Sequence, residues 1–181
     1  MRSNIVILDR DGVINEDSTE HVRSTEDWKP IDGSIEAIAL LKQKHLRVFV
    51  ATNQSGIARG LFDENQLEAI HNRMREVVET AGGAIEGIVY CPHDESDKCD
   101  CRKPRPGLLR QIEHLTGESI KGCPFVGDSL RDIEAARAGG CEPILVMTGN
   151  GAKTQEAVSD SVRIFKNLSE FAQNLLVRHP S

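Results

Sequence analysis

Short apolar runs of strand length alternate with helical patterns along nearly the whole of the 181-residue chain, and no other feature restricts the fold as strongly. Residues 4–8, 47–52, 85–90, 123–126 and 143–147 read as buried strands, with 162–165 as a sixth. Between them lie helical faces. Ile35, Ile38, Ala39 and Leu41 mark one that ends near Lys44. Leu67, Ile70, Met74, Val77 and Val78 mark another, opened by the capping pair Asp63 and Gln66 and ended by Gly82 and Gly83. Leu108, Leu109, Ile112 and Leu115 follow Pro106-Gly107, residues 130–138 form a fourth, and residues 168–177 a last helix. Strand-helix alternation of this kind implies βαβ units, so the fold class is α/β: a doubly wound, mainly parallel sheet with helices on both faces. Neither a repeat nor a linker interrupts it, and residues 1–181 are expected to form a single domain.

In open α/β sheets, ligands bind beyond the carboxyl ends of the strands. The first strand is followed by Asp9-Arg10-Asp11-Gly12, the second runs into Thr52-Asn53-Gln54-Ser55-Gly56, and the fourth into Gly127-Asp128-Ser129. Asp9 and Asp11 are two apart and face one side of an extended chain. Two carboxylates that close repel unless a cation separates them or one keeps a proton. With Asp128 from a neighbouring strand end they form a hard oxygen set suited to Mg²⁺. Thr52 adds a hydroxyl, the loop from Asn53 to Gly60 adds backbone N–H groups suited to phosphate oxygens, and Lys103 adds positive charge.

The five cysteines are unevenly spread. Cys91, Cys99 and Cys101 fall within eleven residues together with His93, the Cys₃His set of a closed, tetrahedral structural Zn²⁺. Four protein ligands leave no position for catalysis, so the metal would fix a loop and, through Cys101, the cations Arg102 and Lys103 that follow it. Cys123 and Cys141 read as ordinary buried thiols. The chain shows neither a signal sequence nor a membrane-length apolar run, so a cytoplasmic location is expected, with no membrane partner. A formal charge of −6 and an aromatic content of 4% argue against nucleic acid as a partner.

Asp9-x-Asp11-Gly12-Val13, the strand-end Thr52, Lys103 and Gly127-Asp128-x-x-x-Asp132 occur in the order of the four motifs of the haloacid dehalogenase superfamily, which the chain resembles from about Asn4 to Gly151. The stretch from Thr52 to Gly60, and Cys91-Pro92-His93 with the run from Cys99 to Gly107, are similar to those of the heptose bisphosphate phosphatases within it. The resemblance implies a Rossmann-like core with a zinc-stabilised loop over residues 91–106. It also implies that Asp9 attacks phosphorus to form an aspartyl-phosphate. Asp11 would protonate the leaving oxygen and then act as general base, with its pKa raised once substrate is bound. Mg²⁺ would be held by Asp9, Asp128 and Asp11 through its backbone carbonyl, and the phosphoryl group by Thr52 and Lys103. A small phosphorylated sugar would meet Asp17, His21, Thr52, Asn53, Gln54, Ser55, Arg59, Arg102 and Lys103.

The 40 residues between Asp11 and Thr52, and the 50 between Thr52 and Lys103, leave no room for a separate cap domain, so the site should be open. Relatives often carry Gly-Tyr-Val after the first motif. Here the segment reads Asp17-Ser18-Thr19-Glu20-His21-Val22, and His21 is a candidate for the sugar contact of the missing tyrosine. Histidinol-phosphate phosphatases, which share a similar cysteine loop, are the alternative. A DNA 3′-phosphatase is a more distant one, and a non-catalytic zinc-stabilised module is the alternative outside enzymes. A monomer is the default expectation. Asp132 reads either as a support for the site or as a helix-entry carboxylate. His71 and His114 read as solvated or packing residues, Trp28 as packing for its loop, Gly149-Asn150-Gly151 as a turn, and Asp94, Glu95 and Asp97 as a solvated loop tip.

Overall fold

The computed structural model describes residues 4–18, 21–159 and 161–177. Thr19 and Glu20, part of the segment that departs from the family pattern, lie outside them. The strands are β1 (Ile5–Leu8), β2 (Arg47–Asn53), β3 (Gly87–Cys91), β4 (Pro124–Gly127), β5 (Glu142–Val146) and β6 (Arg163–Phe165). All pair in parallel, in the order β3-β2-β1-β4-β5-β6. The order reverses between β1 and β4, and the crevice that such a switch opens lies above their carboxyl ends.

The helices are α1 (Ser34–Gln43), α2 (Glu64–Thr80), α3 (Gly107–Thr116), α4 (Leu130–Ala138), α5 (Gly151–Gln155) and α6 (Leu168–Val177). Because successive strand residues face opposite sides, β1 divides its apolar side chains between two cores. Val6 and Leu8 pack with Ile38 and Leu41 of α1, Ile70 and Met74 of α2 and Phe171 of α6. Ile5 and Ile7 pack with Leu108 and Ile112 of α3 and Ala135 and Ala136 of α4. Such two-sided burial requires the unbroken apolar runs that the sequence displays.

The Asp63–Gln66 capping box opens α2 as expected, with Gln66 N donating to Asp63 Oδ1 at 2.8 Å and Asp63 N to Gln66 Oε1 at 2.9 Å. Three details differ from the pattern. Leu115 is 63% exposed, because helical periodicity cannot tell where the covered length of a helix ends. β3 starts at Gly87 rather than residue 85 and runs on to Cys91, pairing Thr52 with Tyr90 and Asn53 with Cys91. Gly149-Asn150-Gly151 does not simply turn the chain but leads into α5. Among the described residues, every helix belongs to the layers on the sheet apart from a 3₁₀ turn at Glu95–Asp97, and none builds a separate cap.

Candidate active site and metal centre

β1 and β4 deliver Asp9 and Asp128 to the switch point, and the first turn of α4 adds Asp132. One carboxylate oxygen from each lies within 4.8 Å of the others. Asp128 reaches this position because Gly12 and Gly149 carry no side chain. A Cβ would come within 2.1 Å of Asp128 Oδ2 at the first and 2.2 Å at the second, and both backbones have positive φ (80° and 56°). The Asn150 backbone N–H (2.7 Å) and side-chain amide (3.1 Å) then donate to Asp128 Oδ2. The same amide donates to Asp17 Oδ2 at 3.0 Å, tying the loop after β1 to the carboxylate centre. Thr148 Oγ1 closes this edge on the Gly12 carbonyl at 2.6 Å. The sequence showed Gly149-Asn150-Gly151 as a turn shortly after a strand, and nothing in it marked Asn150 for that role.

Lys103 enters from below the cysteine loop and is buried. Its Nζ lies 2.9 Å from Asp9 Oδ1 and 2.6 Å from Asp132 Oδ1, and donates to the Ala51 carbonyl at 2.9 Å. Asp132 is both a helix cap and a support. Its Oδ2 accepts from Ser129 N (3.0 Å) and Oγ (2.7 Å) and from Asp128 N (3.2 Å), while Oδ1 braces Lys103. Three buried carboxylates thus share one ammonium. Burial and the Asp132 charge raise Asp9 well above the usual carboxylate range, against the pull of Lys103. The same causes push Asp128 up to about 7. A divalent cation between Asp9 and Asp128 relieves this excess of negative charge, so the donor set fits Mg²⁺.

The Asp11 side chain does not join that cluster. Its Oδ1 accepts from Arg10 Nε (3.1 Å) and Nη2 (2.9 Å) and from Asn15 Nδ2 (2.9 Å), and its Oδ2 from Gln54 Nε2 (2.9 Å). Any metal contact of Asp11 therefore falls to its backbone carbonyl. Burial alone would raise this carboxyl, but the Arg10 guanidinium with the Asn15 and Gln54 hydrogen bonds outweighs it and holds Asp11 below its ordinary value in the free protein. The raised value expected from sequence concerned the substrate-bound state.

Gln54, expected to face substrate, is instead buried, bridging Asp11 and Thr52 Oγ1 (2.9 Å). Asn53 spends its amide on the Lys103 backbone, donating to the carbonyl at 3.1 Å and accepting from the N–H at 3.0 Å. Ser55 is buried where the loop leaves β2. Asp17 and His21 line a surface cavity of about 550 Å³ with Arg23 and Lys29. Trp28 packs into the core and donates from Nε1 to Asn15 Oδ1 at 3.1 Å.

The cysteine loop closes on itself. Cys101 Sγ lies 3.1 Å from Cys91 Sγ, 3.5 Å from Cys99 Sγ and 3.3 Å from His93 Nδ1, and Cys91 Sγ lies 3.6 Å from both Cys99 Sγ and His93 Nδ1. No pair approaches the ~2.05 Å of a disulfide. With metal–sulfur bonds of ~2.3 Å, a tetrahedron has edges of ~3.8 Å, so these four atoms outline a slightly contracted zinc cage. The acidic residues of this loop are not a free tip. Asp94 pairs with Arg59 at 3.1 Å, Glu95 with Arg131 of α4, and Asp97 accepts from Asp94 N at 2.7 Å. Arg102 Nη1 donates to the His93 carbonyl at 3.2 Å, and Arg105 to the carbonyls of Lys98 (2.6 Å) and Cys99. Arg102, Lys98, Lys103 and Arg105 border a cleft of about 270 Å³.

Residues 100–171 match a family model described as HAD-hydrolase-like. The D-glycero-beta-D-manno-heptose-1,7-bisphosphate 7-phosphatase of Pseudomonas aeruginosa is 52% identical over 177 residues, covering 97% of this chain and 99% of that one. The enzyme of the same name from Neisseria meningitidis is 43% identical over 176 residues, covering 95% and 94%. The crystal structure of D,D-heptose 1,7-bisphosphate phosphatase from Bordetella bronchiseptica, complexed with magnesium and phosphate, superposes with a TM-score of 0.94 at 46% identity, covering 97% and 99%. A parallel sheet with this carboxylate-lysine centre at its switch point, and these likenesses, define a haloacid dehalogenase-like phosphoric monoester hydrolase. Within that class the chain belongs to the D-glycero-beta-D-manno-heptose-1,7-bisphosphate 7-phosphatase family. Among the described residues no helix is long and apolar enough to cross a membrane.

Proposed function

We propose that the chain acts as one cytoplasmic phosphatase domain that removes the 7-phosphate of D-glycero-β-D-manno-heptose 1,7-bisphosphate, feeding nucleotide-activated heptose synthesis for lipopolysaccharide core. The observation that carries this reading is the buried grouping of Asp9, Asp128 and Lys103 at the switch point. In it, Asp9 is the nucleophile. Lys103 Nζ, already 2.9 Å from Asp9 Oδ1, draws an incoming phosphoryl oxygen toward the attacking carboxylate, and the Thr52 hydroxyl donates to another. Asp9 attacks phosphorus as the bond to the sugar O7 breaks, and Asp11 gives O7 its proton. Asp11 then takes a proton from the water that cleaves the aspartyl-phosphate.

Mg²⁺ would be held by Asp9, Asp128 and the Asp11 backbone carbonyl, and when bound it supplies charge neutralisation for the transferring phosphoryl group. Zn²⁺ would be held by Cys91, His93, Cys99 and Cys101 in a closed structural site. Its effect on the reaction passes through Lys103, whose backbone is clamped by Asn53, and through Arg102. Arg102 and Arg59 beside the loop suit the phosphate that is not cleaved, and Asp17 and His21 suit sugar hydroxyls. The β anomer is favoured by the names of the relatives.

Side-by-side kcat/KM on heptose 1,7-bisphosphate and histidinol phosphate tests the assignment, with the released position read by phosphorus NMR. We expect a preference for the heptose of at least ~100-fold, about what one or two lost contacts would give, with release from C7. A preference for histidinol phosphate, or release from C1, overturns it.

A further inference from the structure

The residue between the two aspartates has no assigned part in this chemistry, yet it is the largest fully buried side chain of the molecule. Arg10 is 0% exposed. Its Nε and Nη2 both engage Asp11, and Nη2 also donates to Gln54 Oε1 at 3.2 Å. On the far side of the guanidinium, Nη1 lies 3.2 Å from Nε2 of His71, which α2 carries on its buried face between Ile70 and Met74. A guanidinium only donates, so His71 Nε2 must be the acceptor, and the imidazole must be neutral with its proton on Nδ1. Burial and the positive charge of Arg10 favour that state and bring the His71 pKa down to about 3.

A neutral acceptor is the group this position requires. A carboxylate there would compete with Asp11 for the guanidinium, and an apolar side chain would leave a buried N–H without a partner. The imidazole instead fixes the plane of the guanidinium while leaving its charge to Asp11. The Asp11 side chain, held by Arg10 from within, keeps 22% of its surface exposed. We propose that His71 is a positioning residue for leaving-group protonation: through Arg10 it holds the Asp11 carboxyl where it can hand its proton to the departing sugar oxygen. The inference rests on the reading of Asp11 as the proton donor.

The leaving group separates this role from a merely structural one. A sugar alkoxide is a poor leaving group and needs the proton as the P–O bond breaks, whereas p-nitrophenolate departs largely unaided. His71→Leu, with no acceptor, and His71→Asn, too short to reach Arg10, should each lower kcat on heptose 1,7-bisphosphate by about 10-fold or more, a part of the ~10²–10⁴ that a general acid contributes. Both should leave kcat/KM on p-nitrophenyl phosphate, which ends at leaving-group departure and excludes the later water step that Asp11 also serves, and KM for the sugar, within about 3-fold. His71→Gln, whose amide oxygen replaces Nε2 as acceptor, should restore the sugar activity. Equal losses of kcat/KM on both substrates, or full sugar activity in His71→Asn, overturns the proposal. If His71→Leu fails to fold, the Asn and Gln variants carry the test. Asp11→Asn measured alongside separates the two failures: equal losses of kcat/KM on both substrates there would overturn the role of Asp11 as proton donor, and the proposal with it.

Discussion

Two clusters of side chains that could each hold a metal ion lie at the carboxyl ends of the strands, with β2 between the β3 and β1 that lead into them, and they are built in opposite ways. The thiol-imidazole cage draws its four donors from eleven consecutive residues, the last of β3 and the loop that follows it. The carboxylate centre draws Asp9, Lys103 and Asp128 from three loops and Asp132 from the first turn of α4, spread over more than a hundred residues, and only the parallel sheet with its helices brings them together. The cage is closed by its own four ligands. The carboxylate centre, by contrast, keeps like charges buried against each other with one ammonium between them, an arrangement that is unfavourable until a cation and a phosphoryl group arrive. The first arrangement suits order and the second reactivity. They meet at Lys103, two residues past the last cage ligand and bound to Asp9.

Substitution can break that contrast in graded steps. Asp9→Asn should abolish turnover, by about 10⁴-fold or more, as for other lost nucleophiles. Thermal melting without Mg²⁺ should show it no less stable than the parent, because one repelling carboxylate is gone. A large loss of stability would mean that the carboxylate centre, too, is structural. Cys101→Ser should act the other way. Metal analysis should find less than one zinc per chain, and Tm should drop by about 10 °C, several kcal/mol of lost metal-linked folding energy. Turnover should fall only as far as Lys103 and Arg102 lose their placement. A variant that kept its Tm would refute the structural role of the cage.

Asn150→Ala tests how far the carboxylate centre depends on its surroundings. It removes the side-chain amide shared by Asp128 and Asp17. The Mg²⁺ concentration for half-maximal activity should rise about 10-fold, while kcat at saturating Mg²⁺ changes little. A last effect concerns stability against pH rather than turnover. His71 is depressed from 6.5 to about 3, so the unfolded chain binds a proton that the folded one refuses between those values. Its contribution to stability is complete above about pH 6.5 and is lost on acidification, by up to ~1.4 kcal/mol per pH unit in that window. His71→Gln should therefore show a flatter dependence of unfolding free energy on pH between 6.5 and 4, measured by denaturant titration. An unchanged slope would mean that the imidazole does not stay neutral.

What could be read from the chain in advance follows the same division. The cage ligands were legible because spacing and residue type suffice when all donors sit on one loop. Asp9, Thr52, Lys103 and Asp128 were legible because each follows a strand, and a parallel sheet gathers its strand ends. Arg10 and His71 were not. An arginine in a polar turn carries no signal of burial, and a histidine on an amphipathic helix reads as solvated or packing, until α2 packs on the sheet and sets them 3.2 Å apart. Gln54 and Asn53 were read as facing substrate because their loop follows β2. Only the fold shows their amides turned inward, toward Asp11 and Lys103. Asn150 was visible as part of a turn but not as the group that carries Asp128.

The sequence by itself determined the alternation of elements, the parallel sheet, the two donor sets and the cations placed after the cage, because each rests on local periodicity or short spacing. Only the tertiary structure decided which hydrogen bonds those groups make. It turned the Asp11 side chain away from the carboxylate centre, set Asp132 between Lys103 and the α4 cap, and buried Arg10 against a neutral imidazole. Those outcomes depend on helices that arrive from tens of residues away, and on the shared desolvation of charges that no stretch of sequence brings together.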